Sequence, residues 1–222
     1  MDTNAKAARA VLRTLHGLYP GPRHYLEFDG PFQLLVATIL SAQCTDERVN
    51  AVTPGLFRAF PGPAAFAKAP LGEIEEAVRP TGFFRNKAKA IKGASAAILD
   101  RFGGKVPGTM DELLTLPGIA RKSANAILQH GFSKVEGIVV DTHVIRVAQR
   151  LGWTAEKDPE KIERDLMALF DRSQWRWLPF YLKSHGRSVC RAPRPRCAAC
   201  AVAPRCPSAQ PGSQGPERPR PR

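Results

Sequence analysis

The stretch from Leu116 to Val144, LPGIARKSANAILQHGFSKVEGIVVDTHV, leaves few options for the fold around it. Pro117 fixes φ and Gly118 reaches backbone conformations that side chains forbid, so Leu116-Pro117-Gly118 marks a tight turn. Behind it Ile119, Ala120, Ser123, Ala124 and Ile127 recur at helical spacing. A second helix opens at Asp141, with Val144, Val147, Ala148 and Leu151 on one face. The same period runs through Val11, Leu12, Leu15 and Leu18 in a helix over residues 4–19. It returns in Phe32, Leu35, Val36, Ile39 and Leu40, and again after Pro159 in Ile162, Leu166, Leu169 and Phe170. Ile138-Val139-Val140 is too brief and isolated to build a sheet. The pattern predicts an all-α chain.

Charge narrows the partners. In 222 residues, 33 Lys and Arg stand against 20 Asp and Glu, a net charge of +13 with a pI near 10.0. Neutralising phosphates releases their counterions, so this balance favours a polyanion. No apolar run approaches the roughly 18 residues of a membrane span, and no secretory h-region is present. The five cysteines are odd in number and four crowd into the last quarter, which argues against a disulfide framework. Cys44 stands apart, read as a small buried thiol. An intracellular protein is expected. Residues 207–222, PSAQPGSQGPERPRPR, carry no large apolar side chain and are Pro-rich, so a disordered basic tail is expected.

Several residues suit chemistry on nucleic acid. The amides that open the helix after the turn, with the positive end of its dipole, suit a phosphate. Lys122 lies in that first turn, where the dipole disfavours an ammonium and a merely solubilising lysine is poorly placed. Asp141 is a good N-cap; a cap can be structural only, or can also hold its carboxylate ionised and oriented for catalysis. Gln43, in SAQCTD, is by default a surface amide, and Thr45 or Asp46 caps the helix that follows it. Phe83 and Phe84 are either both core, or Phe83 is exposed and stacks on an unpaired base, worth about 1–3 kcal/mol. Lys87, Lys89 and Lys92 open a basic helix reaching Asp100.

Cys190, Cys197, Cys200 and Cys206 follow a C-x6-C-x2-C-x5-C spacing, which points to metal ligation. Spacing alone leaves zinc and an iron–sulfur cluster both open. Arg191, Arg194 and Arg196 stand between the first two cysteines, stiffened by Pro193 and Pro195. They form either a solvated basic loop or a loop that binds phosphate.

LPGIARKSA followed by VVDTH resembles the helix-hairpin-helix DNA glycosylases, most closely the endonuclease III family. SAQCTDERVN, TGFFRNKA, HGRSVC and the terminal cysteines extend the resemblance over nearly the whole chain. One departure is Ala120, where that family's hairpin usually carries a second glycine. The resemblance implies two helical domains with DNA in the cleft between them. One is a six-helix domain over 23–134 that carries the hairpin. The other is an iron–sulfur domain joining 1–22 to 135–206. It implies a bifunctional glycosylase and lyase that excises oxidised pyrimidines from damaged double-stranded DNA. Lys122 would be the Schiff-base nucleophile and Asp141 the catalytic carboxylate. Gln43 and Phe83 would hold the distorted duplex open, while Gly118, Ala120 and Arg121 grip phosphate. A [4Fe–4S] cluster on the four cysteines follows, as does a monovalent cation at the hairpin carbonyls. A monomeric, cytoplasmic, nucleoid-associated bacterial protein is the corresponding expectation. Lys122 separates this reading from the adenine-mismatch glycosylases, which lack a lysine there. A non-catalytic damage-binding protein would share the charge and the hairpin, but it leaves Lys122 and Asp141 unexplained.

Overall fold

The computed structural model describes residues 3–22 and 24–210, so the expectation for residues 211–222 of the tail lies outside the described residues. Among the described residues there are helices, turns and loops but no strand, as the all-α reading requires. The chain forms two compact units, one of His24–Val139 and one of Met1–Arg23 with Val140–Arg222.

The first of these units is built around α2 (Gly30–Leu40). Pro31 opens this helix, and every residue from Leu34 to Leu40 is buried. The sequence shows one apolar stripe here, with Phe32 in it. The structure instead encloses the last two turns on all sides and leaves Phe32 half-buried. A helix apolar all round belongs in a core. Around it stand α3 (Asp46–Ala59), α4 (Pro63–Lys68), α5 (Leu71–Val78), α6 (Phe84–Phe102), α7 (Met110–Leu114) and α8 (Arg121–Gly131). Thr45, not Asp46, caps α3, its hydroxyl accepting from the Arg48 amide at 3.2 Å. α4 and α5 pack on α6, and α8 packs on α2 and α7. α6 runs past Asp100 and stops at Gly103, whose left-handed φ of 59° closes it. Truncating an enclosed side chain such as Leu35 or Ile127 to Ala costs about 2–5 kcal/mol at sites of this kind.

The second unit joins α1 (Thr3–Leu18) to α9 (Thr142–Arg150), α10 (Pro159–Leu169), α11 (Arg172–Trp175) and α12 (Leu178–Ser188). α12 packs against both α1 and α9. Val11, Leu12 and Leu15 are buried, but Leu18, expected on the same face, is 49% exposed at the last residue of its helix. Asp158 caps α10, which buries Ile162 and Leu166. Trp153 sits edge-on to the buried Phe170 with ring centres 4.9 Å apart, and Trp175 Nε1 donates to the Phe170 carbonyl at 2.8 Å. These two indoles are packing elements of the unit.

Candidate nucleic-acid interface and cysteine centre

The hairpin comprises α7, the turn and α8. Thr109 caps α7, and the amides of Leu116 and Ile119 donate to Leu113 and Leu116 through the turn. Leu116 and Ile119 are buried while Pro117 and Gly118 face outward. Gly118 has φ of 80°, and a Cβ there would lie 2.8 Å from the Ala90 Cβ. On the same side of α6 a Cβ on Gly93 would meet the Pro117 ring at 3.3 Å. Ala90 and Gly93, three apart on α6, are therefore what lets the turn approach the helix. That spacing of small residues was the available signal, and sequence reasoning missed it.

Ala120 is the N-cap of α8 and supplies no capping side chain; its φ of −105° and ψ of 171° are ordinary extended backbone. Glycine is thus a requirement at Gly118 and not at Ala120. Lys122 is exposed in the uncapped first turn of α8, beside the half-buried Arg121.

Three exposed non-glycine residues of this unit take left-handed backbone, Ser133 in the loop after α8 with φ of 56° and two in loops flanking other helices. Gln43 has φ of 51° and Phe83 φ of 49°. For side chains other than glycine each such conformation costs on the order of 1 kcal/mol or more. Phe83 is 64% exposed, whereas Phe84 packs against the core with Arg79 and Arg85 over its ring at 5.4 and 5.5 Å. The adjacent phenylalanines divide, one outward and one inward. Lys87, the first lysine of the basic helix expected from sequence, is buried. It is 4% exposed, and its ammonium donates to the carbonyls of Leu40 and Thr81 at 2.7 Å each. Burial lowers its pKa, and the nearby Cys44 works in the opposite direction. Lys92 likewise spends its charge on main chain, the carbonyls of Ala67 and Ala69. Lys89 remains exposed.

In the other unit Asp141 caps α9. Its Oδ1 accepts from the amides of His143 at 2.8 Å and Val144 at 2.9 Å, so Oδ2 takes no part in the cap. His143 Nδ1 lies 3.2 Å from Arg146, which donates to the Gly186 carbonyl at 3.0 Å and to that of Cys190 at 3.1 Å. A Cβ on Gly186 would stand 3.0 Å from Arg146 and 3.1 Å from the His143 ring, so any larger residue here would press on both side chains. Burial lowers the His143 pKa; Asp141 opposes that shift, and Arg146, Arg187 and Lys183 reinforce it.

The four cysteines line one cavity walled by Val147, Leu151, Val189 and Val202. All are free thiols. Burial raises the pKa of Cys200 and Cys206, and the neighbouring cysteines add to the shift; amides of Val202 and Ala203, and of Ser208, oppose it. Among the described residues, no three His, Cys, Asp or Glu side chains converge closely enough for a single ion.

Arg150 holds the cysteine loop from beneath. It donates to Cys190 Sγ at 3.3 Å, to the Arg191 carbonyl at 2.8 Å and to that of Ala192 at 3.0 Å. Arg191, Arg194 and Arg196 are exposed on that loop. Buried His185 forms another wall, its Nε2 3.6 Å from Cys200 Sγ and its Nδ1 3.2 Å from the Tyr19 hydroxyl. Sequence reasoning passed over Arg146, Arg150 and His185. The i, i+4 pair of arginines beside Val147 and Leu151 was the visible hint.

Among the described residues, no helix is long and apolar enough to cross a membrane. A profile of the HhH-GPD superfamily of base excision DNA repair proteins matches residues 36–172. The endonuclease III of Synechocystis sp. is 52% identical over 210 residues, 95% of this chain and 96% of that protein. Two solved structures superpose with a TM-score of 0.89 at 36% identity over 94% of this chain. They are a non-covalent endonuclease III–DNA complex, covered to 97%, and a trapped endonuclease III–DNA covalent intermediate, covered to 98%. With its hairpin, its helix-capping aspartate and its cysteine-lined cavity in place, the chain belongs to the HhH-GPD superfamily of base excision DNA repair proteins and, within it, to the endonuclease III family.

Proposed function

We propose that this protein is a bifunctional DNA glycosylase and abasic-site lyase that removes oxidised pyrimidines from damaged duplex DNA. The observation that carries the reading is Lys122, exposed in the uncapped first turn of the hairpin's second helix. A primary amine there can reach a sugar whose flanking phosphate rests on the hairpin amides. The target base is inaccessible in the stack, so its nucleotide is first extruded. Phe83 and Gln43 hold the opened duplex, the ring by stacking and the amide by pairing with the estranged base. The amides around Gly118 and Ala120, with Arg121, grip backbone phosphate, and the carbonyls of the turn suit a monovalent cation.

Lys122 Nζ attacks C1′ with its lone pair as the glycosidic bond breaks and the base leaves with the bonding electrons and a proton. Opening of the sugar ring converts the aminal to an imine on Lys122. Loss of a C2′ proton then expels the 3′ phosphate by β-elimination, and water releases the enzyme. Asp141, oriented by its cap, supports positive charge on the sugar and relays protons through Oδ2.

Cys190, Cys197, Cys200 and Cys206 suit a [4Fe–4S] cluster: four thiols line one cavity with apolar walls, a donor set such a cluster uses. The cluster supplies a metal–thiolate cross-link for the end of the unit. Arg150 and the amides of Val202, Ala203 and Ser208 temper the charge of the thiolates. Arg191, Arg194 and Arg196 bind phosphate from the stiffened loop. Catalysis on chromosomal DNA sets the working compartment in the bacterial cytoplasm.

The deciding experiment is borohydride trapping on a duplex with one abasic site. Wild type should form a covalent adduct and Lys122→Ala none, with both retaining DNA binding. A wild-type protein that binds this duplex yet gives no adduct would overturn the lyase assignment.

A further inference from the structure

A buried ammonium is costly unless its donors are satisfied, and Lys87 satisfies two of them on main chain alone. Its acceptors are not neighbours in sequence. The Leu40 carbonyl ends α2, at the negative end of that helix dipole, and the Thr81 carbonyl closes the 3₁₀ turn Arg79–Thr81. Three residues beyond Leu40 stands Gln43, and two beyond Thr81 stands Phe83. Both are exposed, and both are non-glycine residues in left-handed backbone. Such conformations persist only where the surroundings over-determine them. A methionine would fill the same space without the cost of burying charge, so packing alone does not account for a lysine at this position.

We propose that Lys87 is a positioning residue, whose ammonium ties the loop bearing Gln43 to the loop bearing Phe83 so that the two side chains enter damaged duplex as one fixed pair. The inference rests on the reading of Gln43 and Phe83 as DNA contacts given above. Lys87 itself, 4% exposed, touches no DNA and acts through the two loops. Its removal leaves the hairpin, Lys122 and Asp141 untouched while freeing each loop to relax on its own.

A double-mutant cycle tests this in the full-length protein. The probe is a duplex with a tetrahydrofuran abasic analogue opposite 2-aminopurine, whose fluorescence reports unstacking of the estranged base. Lys87→Met should weaken binding to this duplex about tenfold and diminish the fluorescence rise, with affinity for undamaged duplex unchanged. In a Gln43→Ala, Phe83→Ala background the same change should cost less than about twofold, because the groups it positions are gone. Equal losses in both backgrounds would overturn the proposal and make Lys87 a support of the whole unit. If the Gln43→Ala, Phe83→Ala protein binds the lesion duplex as tightly as wild type, the reading of the pair as DNA contacts fails instead. Should Lys87→Met lack a cooperative thermal transition, Lys87→Arg goes through the same cycle with the same criteria. It keeps the charge but replaces the compact ammonium with a planar fork.

Discussion

Asp141 serves its helix through a single oxygen, and this lets structure and chemistry be separated at one residue. Asparagine caps helices about as well as aspartate, so Asp141→Asn should keep Oδ1 accepting from His143 and Val144. Melting should then stay close to wild type while single-turnover excision falls by about 10²-fold or more. A parallel loss of both would assign Asp141 to the cap alone. In the hairpin the contrast lies between two neighbouring positions. Gly118→Ala places a side chain at φ of 80° and drives a Cβ into Ala90. It should cost about 1–2 kcal/mol from backbone alone, with the overlap adding to that. Ala120→Gly meets no such demand, and glycine ranks above alanine as an N-cap, so the urea midpoint should hold or rise slightly.

At the scale of elements, α9 ties together other parts of its unit through polar contacts. Asp141 opens it, Arg146 reaches Gly186 and Cys190, and Arg150 holds the cysteine loop. His143 sits among them as a neutral ring, because burial lowers its pKa in the folded state. The unfolded chain binds that proton near pH 6.5, its ordinary value, and the folded chain only at lower pH. Stability is therefore fully present above about pH 6.5 and is lost as pH falls through the folded value. Denaturant midpoints from pH 8 to 5 should decline more steeply for wild type than for His143→Gln. Parallel slopes would remove His143 from the acid sensitivity. The helices themselves were legible in sequence because they arise from local rules: apolar residues at the 3.6 period, proline at N1, Thr45 and Asp141 as caps. Their surroundings were less so. α2 shows a stripe in sequence and is enclosed in the fold, since how many faces are covered depends on helices far along the chain.

For the molecule as a whole, the net charge of +13 is a statement about partners before it is one about shape. Binding to undamaged duplex should weaken linearly on a logarithmic salt scale. Substituting Arg191, Arg194 and Arg196 together with Ala should reduce that slope by about 0.9 for each phosphate the loop neutralises. An unchanged slope would make the cysteine loop a solvated surface. Sequence alone determined the all-α class, the turn at Pro117-Gly118 and the cap at Asp141, because backbone torsions and capping bonds are written within a few consecutive residues. Tertiary structure decided that Phe83 faces out while Phe84 packs inward, that Leu18 is exposed, and that Lys87 of the basic helix is buried against the carbonyls of Leu40 and Thr81. Those outcomes depend on which atoms stand opposite a side chain, and its partners, as Leu40 is to Lys87, come from segments that only folding brings together.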